Sequence, residues 1–417
     1  MDSAVSGLQM QQKWMDVIGN NIANVSTPGF KSSSLNFAQL FAQTLYGGGA
    51  PAGNLGGTNP QQIGLGVGIG SITQNQAAGT LQQTGNPTDL AITGNGYFLL
   101  NMNGQGTGYT RVGDFTQDGV GNLVEGATGF KVQGWMATNG VLPTSETQSN
   151  LSGITIPNNQ SIPPHATANM SFTGNLNVAD SLQATPPKIQ VPFQAYDSLG
   201  NPLNLICTFQ ATAGTPGSWT WTLSDPSSAG VAGLPATAPS GTITFSSSGA
   251  YSTPATNPTF TMSPKDGSSA QTVTLNFKSM TQYAAADAPT PGTQDGYGTG
   301  TLDGLTIDKS GVITGSFTNG QSQTLGQVAV ATFANPQGLV QQGQDIYTAG
   351  PNSGLPQVLV AGTSGAGAIQ SSALEGSNVD LAKQFTDMIA AERGFQANGQ
   401  VITTSDQMLQ TLVQLGQ

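Results

Sequence analysis

A chain of 417 residues in which only 7% are charged and 57 are glycine must build its surface from Ser, Thr, Asn, Gln and backbone rather than from ions. Its formal charge of −11, from 10 basic and 21 acidic residues with no Lys/Arg cluster, argues against nucleic acid and anionic membrane as partners. One cysteine excludes an intramolecular disulfide, no apolar run approaches the ~18 residues of a membrane span, and the start shows no secretory signal.

In chain order, Met1, Leu8, Met15 and Ile22 fall seven residues apart, with Ala4, Ile18 and Val25 three residues after such positions. This pattern predicts an amphipathic helix over 1–25 with a coiled-coil seam. Pro28–Gly29 ends it, since proline supplies no amide and Pro-Gly suits a type II turn. Leu35, Phe37, Leu40, Phe41 and Leu45 predict a short helix or an extended arm over 31–45, and the Gly/Pro-rich stretch 46–60 a flexible connection.

Strands follow from about residue 63. Residues 91–100 read as a strand pair bent around Gly94 and Gly96, with further strands at 109–115 and 123–132 separated by the turn residues Asp118, Gly119 and Gly121. Residues 150–290 carry most of the prolines and strands of clear alternation. Trp219, Trp221 and Leu223 share one face, as do Val273, Leu275 and Phe277, and Leu203, Leu205, Cys207 and Phe209. Short strands with frequent turns suit an antiparallel sandwich or barrel. Residues 287–296 read as the return linker, after which strands like those before residue 150 resume from 302 to 360.

The last forty residues hold a second long helix, from Ser377 as N-cap with Asp380 in its first turn. Leu381, Met388, Phe395, Ile402 and Leu409 recur at intervals of seven, and Phe385, Ala391, Leu412 and Val413 widen the row. About 36 helical residues would span roughly 54 Å, too long for an ordinary surface helix. Gly7, Gly19, Gly394 and Gly399 each cost about 1 kcal/mol relative to alanine, and Gln11 and Asn398 interrupt the seams. Each helix is therefore expected to be marginal alone and ordered by packing against neighbours.

The fold expected is mainly β with α-helical termini. The N- and C-terminal helices pair as a coiled coil (1–27 plus 377–417), a linker or arm region follows (28–72 plus 363–376), then a discontinuous middle β-domain (73–148 plus 293–362) and an inserted outer β-sandwich or barrel (149–292).

No constellation points to catalysis, a cofactor or a metal. His165 stands alone in a proline-led loop, Cys207 reads as a small buried residue, and no nucleophile elbow, P-loop or zinc set occurs. The glycines of 64–70 do not fit a dinucleotide-binding loop. Asp114, Asp118, Asp303 and Asp308 stand beside turn glycines, where capping of the turn backbone explains them better than calcium. The chain is expected not to be an enzyme but to contact copies of itself.

The residues carry a resemblance. NNIANVSTPGFK (20–31), QIGLGV (62–67), GTLQQTGNPTDLAITGNGYFL (79–99), YTRVGDFTQDG (109–119) and SNVDLAKQFTDMIAAERGFQAN with ITTSDQML (377–398, 402–409) resemble, in order, the blocks of the bacterial flagellar rod and hook axial protein family. GNLN (174–177), QAYDSLGNP (194–202) and LGQVAVATFANPQGL (325–339) are similar to blocks of its hook branch. Two departures stand out: a short lead before residue 6, and Glu392 where the family more often has glutamine.

The resemblance implies export through the flagellar type III apparatus without a cleaved signal, extracellular polymerisation into a curved tube joining rod to filament, and contacts with distal rod, hook cap and hook–filament junction proteins. It implies no cofactor. Leu8, Met15 and Ile22 would form the packed face of the first helix, and Leu381, Phe385, Met388, Phe395, Ile402 and Leu409 that of the last. Pro28 and Gly29 would form the turn leaving the inner tube. The competing readings are a distal rod subunit and, from another class, a β-rich adhesin or glycan-binding module.

Overall fold

Strand alternation accounts for most of the interior, and it does so in two separate units. The computed structural model describes all residues except 1, 52, 54, 55, 105, 228–231, 236, 416 and 417. The larger unit holds Met1–Asn158, Leu305–Gly315 and Gln323–Gln417, and the smaller one Asn159–Gly304 and Ser316–Ser322.

The smaller unit contains a β-sandwich. One sheet runs in chain order through Lys188–Tyr196, Pro202–Ala211, Ser218–Ser224, Ser240–Phe245 and Tyr251–Thr253, all antiparallel. The other is ordered Thr259–Met262, Gln271–Tyr283, Asn169–Asn177, Thr290–Gln294. The alternation expected from the sequence is what fills the space between them: Leu205, Cys207, Phe209, Trp219, Trp221, Leu275 and Phe277 are buried in one cluster. Burial also drives the Cys207 thiol pKa far up, so it stays protonated and inert.

Two details differ from the sequence reading. Asn169–Asn177 pairs with Gln271–Tyr283 in parallel, because the chain traverses the whole opposite sheet between them. Residues 290–294 are no linker but an edge strand, the one place in a sheet where a proline such as Pro291 removes no ladder bond.

In the larger unit, the β-part is assembled from both halves of the chain. Gly134 pairs with Val328, Phe98 with Val330, Ile92 with Ile369 and Gln82 with Leu374. Tyr97, Leu99, Tyr109, Trp135, Ala329 and Tyr347 pack together, and the Trp135 indole donates to the Thr147 carbonyl at 3.1 Å. The strands expected at 109–115 and 123–132 are each broken in two. The Asp118 and Asp308 carboxylates cap their turns. Asp118 accepts the Val120 and Asn122 amides at 2.9 and 2.8 Å, and Asp308 those of Ser310 and Val312, both at 2.9 Å.

The rest of this unit is helical and ribbon-like. Helix α1 spans Asp2–Ala23. Four strands follow: β1 (Ser33–Gln39), β2 (Ala42–Tyr46), β3 (Gln61–Gly64) and β4 (Val67–Gln74). β1 pairs with β4 and β2 with β3, which makes these four strands one long antiparallel ribbon. Of the two expectations for 31–45 the extended arm is the one observed, and the stretch 46–60 lies partly outside the described residues. Helix α2 spans Leu381–Leu415. Its N-cap is Asp380 rather than Ser377: the Asp380 carboxylate accepts the Ala382 and Lys383 amides at 2.9 and 3.2 Å.

Candidate assembly surface

The two helices pack antiparallel, as the paired positions show. The space where Gly7 would carry a Cβ is filled by the Asn398 side chain, at 2.7 Å, and that of Gly394 by the Gln11 side chain, also at 2.7 Å. At the far end Asn21 donates to Gln384 at 3.1 Å, both side chains buried. Ala4, Ile18 and Ala391 complete the buried set. The glycines and polar residues that interrupt the apolar pattern are therefore the seam itself. Gly7 and Gly394 each admit an amide side chain from the other helix, so backbone cost is exchanged for close approach, whereas a Cβ at Gly19 or Gly399 would meet nothing within 4 Å. A polar position in a seam fixes register at some cost in stability.

α1 is also flanked by the ribbon. Trp14 meets Phe37 edge-on at 5.7 Å. Asn21 donates to the Ser33 carbonyl at 2.8 Å and accepts the Ser33 amide at 2.9 Å. The Val67 amide reaches the Ser6 hydroxyl at 3.3 Å.

The large apolar residues lie elsewhere. Of the residues the periodicity singled out, Leu8, Met15, Ile22, Met388 and Ile402 are half-buried. Leu381, Phe385, Phe395 and Leu409 are exposed, Phe385 at 52%. Leu412 at 69% and, on the ribbon, Phe41 at 86% extend this surface. Such an expanse of apolar side chains on one module is the mark of a protein contact rather than of scattered surface leucines.

Pro28 is half-buried and Gly29 buried. Gly29 has φ +73°, and a Cβ there would lie 2.9 Å from the Val112 amide nitrogen, so both backbone and space demand glycine. The Gly29 amide donates to the Glu375 carbonyl at 2.7 Å, tying the exit of α1 to the approach to α2.

That approach holds a charge cluster. The Glu375 carboxylate accepts Lys31 Nζ at 2.6 Å and Arg111 Nη1 at 3.3 Å, and all three side chains are buried. Desolvation lowers the Lys31 pKa against the pull of Glu375. No local pattern marks this cluster in the sequence. The only available signal is that ions are rare in this chain, so each one near a motif merits a partner.

Among the described residues, nothing in the geometry resembles a catalytic centre. His165 stacks on Tyr297 with centroids 5.6 Å apart. Among the described residues no group of three or more His, Cys, Asp or Glu is placed to hold a metal, and no helix is long and apolar enough to cross a membrane.

Comparison with known proteins gives the class first. Four family models match along the chain: "Flagella basal body rod protein" at 1–31, "Flagellar hook protein FlgE/F/G D1 domain" at 91–197, "Flagellar basal body protein FlaE D2 domain" at 175–297 and "Flagellar basal body rod FlgEFG protein C-terminal" at 370–415. Among relatives, the flagellar hook proteins FlgE of Borreliella burgdorferi and Treponema pallidum are each 37% identical, over 99% of this chain and 98% of theirs. FlgE of Escherichia coli is 35% identical over the same shares. A solved Helicobacter pylori hook protein, FlgE2, aligns with a TM-score of 0.49 at 15% identity, over 70% of this chain and 100% of that one. The chain belongs to the flagellar hook protein family. It is a structural protein of the hook and basal body, not an enzyme.

Proposed function

We propose that the chain is the subunit of a flexible, curved hook tube that works as a universal joint between rod and filament. One observation carries the assembly reading: the helices close on each other through small and polar residues and leave Phe385, Phe395, Leu409 and Leu412 uncovered. Copies of the same module supply the cover, with the helices (1–27 plus 377–417) innermost. The arm (28–72 plus 363–376), the middle β-domain (73–148 plus 293–362) and the inserted domain (149–292) follow outward. Pro28 and Gly29 form the turn leaving the inner tube. Export runs through the flagellar type III apparatus without a cleaved signal, and the tube's ends meet distal rod, hook cap and hook–filament junction proteins outside the cell.

Bending requires outer contacts that slip. The sandwich surface carries neutral hydroxyl pairs, such as Ser171 with Thr293 and Thr244 with Thr253. These exchange with water at about 1 kcal/mol per bond, whereas fixed ion pairs would impose a register. Electron microscopy of cells lacking the gene tests the main reading. Basal bodies that end at the rod support it, and missing rods would assign the chain to the rod instead. Tubes of unchanged curvature and stiffness after deletion of residues 150–290 would refute the slipping surface.

A further inference from the structure

All strands of chain that pass between the helical module and the β-part of the larger unit meet at Glu375. Its Oε1 accepts Lys31 Nζ at 2.6 Å and the Gly79 amide at 2.9 Å, and its Oε2 accepts Arg111 Nη1 at 3.3 Å. Its own carbonyl accepts the Gly29 amide at 2.7 Å. These partners come from three separate segments of the chain. Gly29 and Lys31 leave α1, Gly79 follows the ribbon, and Arg111 stands in the β-part, where it also donates to the Gly94 carbonyl at 2.8 Å. Lys31 and Glu375 are 344 residues apart in sequence.

The charges make this more than a knot of hydrogen bonds. Exposures are 1% for Lys31, 3% for Arg111 and 0% for Glu375. One carboxylate therefore serves two buried cations. Removing one partner of a buried ion pair leaves uncompensated charge in a medium that cannot solvate it, whereas removing both partners is far less damaging. We propose that Glu375 is the positioning residue that holds α1, the ribbon and α2 in fixed place on the β-part, so that the larger unit opens as one body rather than segment by segment. The claim concerns the single chain and does not rest on tube formation.

The test is amide hydrogen exchange on the unassembled full chain. Glu375→Gln keeps the shape and removes the charge. Exchange at Gly29 and Gly79 should accelerate on the order of 100-fold, while the amides of Phe209 and Trp221 in the sandwich stay as in the parent chain. Lys31→Met combined with Glu375→Gln removes one stranded cation and should regain part of the lost protection. If Glu375→Gln does not fold, a double variant that folds supports the proposal by the same logic. Parent-like exchange at Gly29 and Gly79 in the single variant would overturn it. So would a double variant no better than the single, or equal acceleration in the sandwich.

Discussion

The sandwich of the smaller unit and the helix pair of the larger one use hydrophobic residues in opposite ways. In the sandwich, most large residues of the alternating strands point inward: Trp219, Phe209 and Phe277 are fully buried, and the outer positions are mostly Thr, Ser, Asn and Gln, with Ile206, Lys278 and Tyr283 as exceptions. In the helix pair, the inward positions are Gly7, Gln11, Asn21, Gln384, Ala391 and Asn398, and the phenylalanines point out. A sequence can thus mark an apolar face without saying which molecule covers it. The sandwich satisfies its own faces. The helices bury Ala4, Ile18 and Ala391 between polar register contacts and leave most of their large apolar residues uncovered by this chain.

The largest effect that would break this contrast is on assembly. Phe385→Asp or Phe395→Asp should abolish polymer formation while changing the stability of the free chain by no more than about 0.5 kcal/mol, as for an exposed site. Sedimentation and thermal unfolding read the two quantities, and normal tubes from either variant would show that those residues face solvent in the assembly too. In the sandwich the same logic reverses. Trp219→Ala should cost about 3–5 kcal/mol through the cavity it leaves, lowering the melting transition of residues 159–304 without touching the α2 helical signal.

Alkali should separate the β-parts next. Burial, reinforced by Asp345, pushes the Tyr347 phenol up to about 12, and burial raises Tyr97 and Tyr109 as well. Below pH ~10 both folded and unfolded forms are neutral and the full stability is present. Between about 10 and 12 only the unfolded chain ionises, so Tyr347 alone withdraws up to about 2.7 kcal/mol. The sandwich has the half-buried Tyr251 in this class, and it should outlast the larger unit in a pH-jump unfolding experiment followed by its tryptophan emission.

The smallest effect concerns the helix glycines. A Cβ added at Gly19 would meet nothing within 4 Å, so Gly19→Ala should add about 1 kcal/mol of helix stability. Gly7→Leu collides with Asn398 and should loosen the pair despite its better propensity. Circular dichroism melts that fail to separate the two would show that the seam is not closed at Gly7.

How much of the structure is legible in the sequence follows the same division. The sandwich strands are legible because alternation has one period and one meaning when the apolar faces of both sheets are covered within the chain. The edge strand at 290–294 is hidden by Pro289 and Pro291, which mark a linker unless the strand is known to lie at an edge. Both helices are legible, but the row at 381, 388, 395, 402 and 409 stands out by its hydrophobicity and the row at 384, 391 and 398, with the same spacing, does not. Hydrophobicity ranks positions by what they would gain from burial, and size complementarity between Gly7 and Asn398 exists only once the two helices are side by side. Lys31, Arg111 and Glu375 have no shared local pattern at all. Their meeting is a product of topology.

The most direct measurement is the accessibility of α2 before and after assembly. A thiol introduced by Phe385→Cys or, separately, Leu412→Cys can be followed with a maleimide, since the native Cys207 is buried and its thiol held protonated. In the free chain both should react at the rate of an exposed thiol, and in assembled tubes the reaction should fall to the background set by Cys207. Equal labelling of free and assembled protein at both positions would contradict the account.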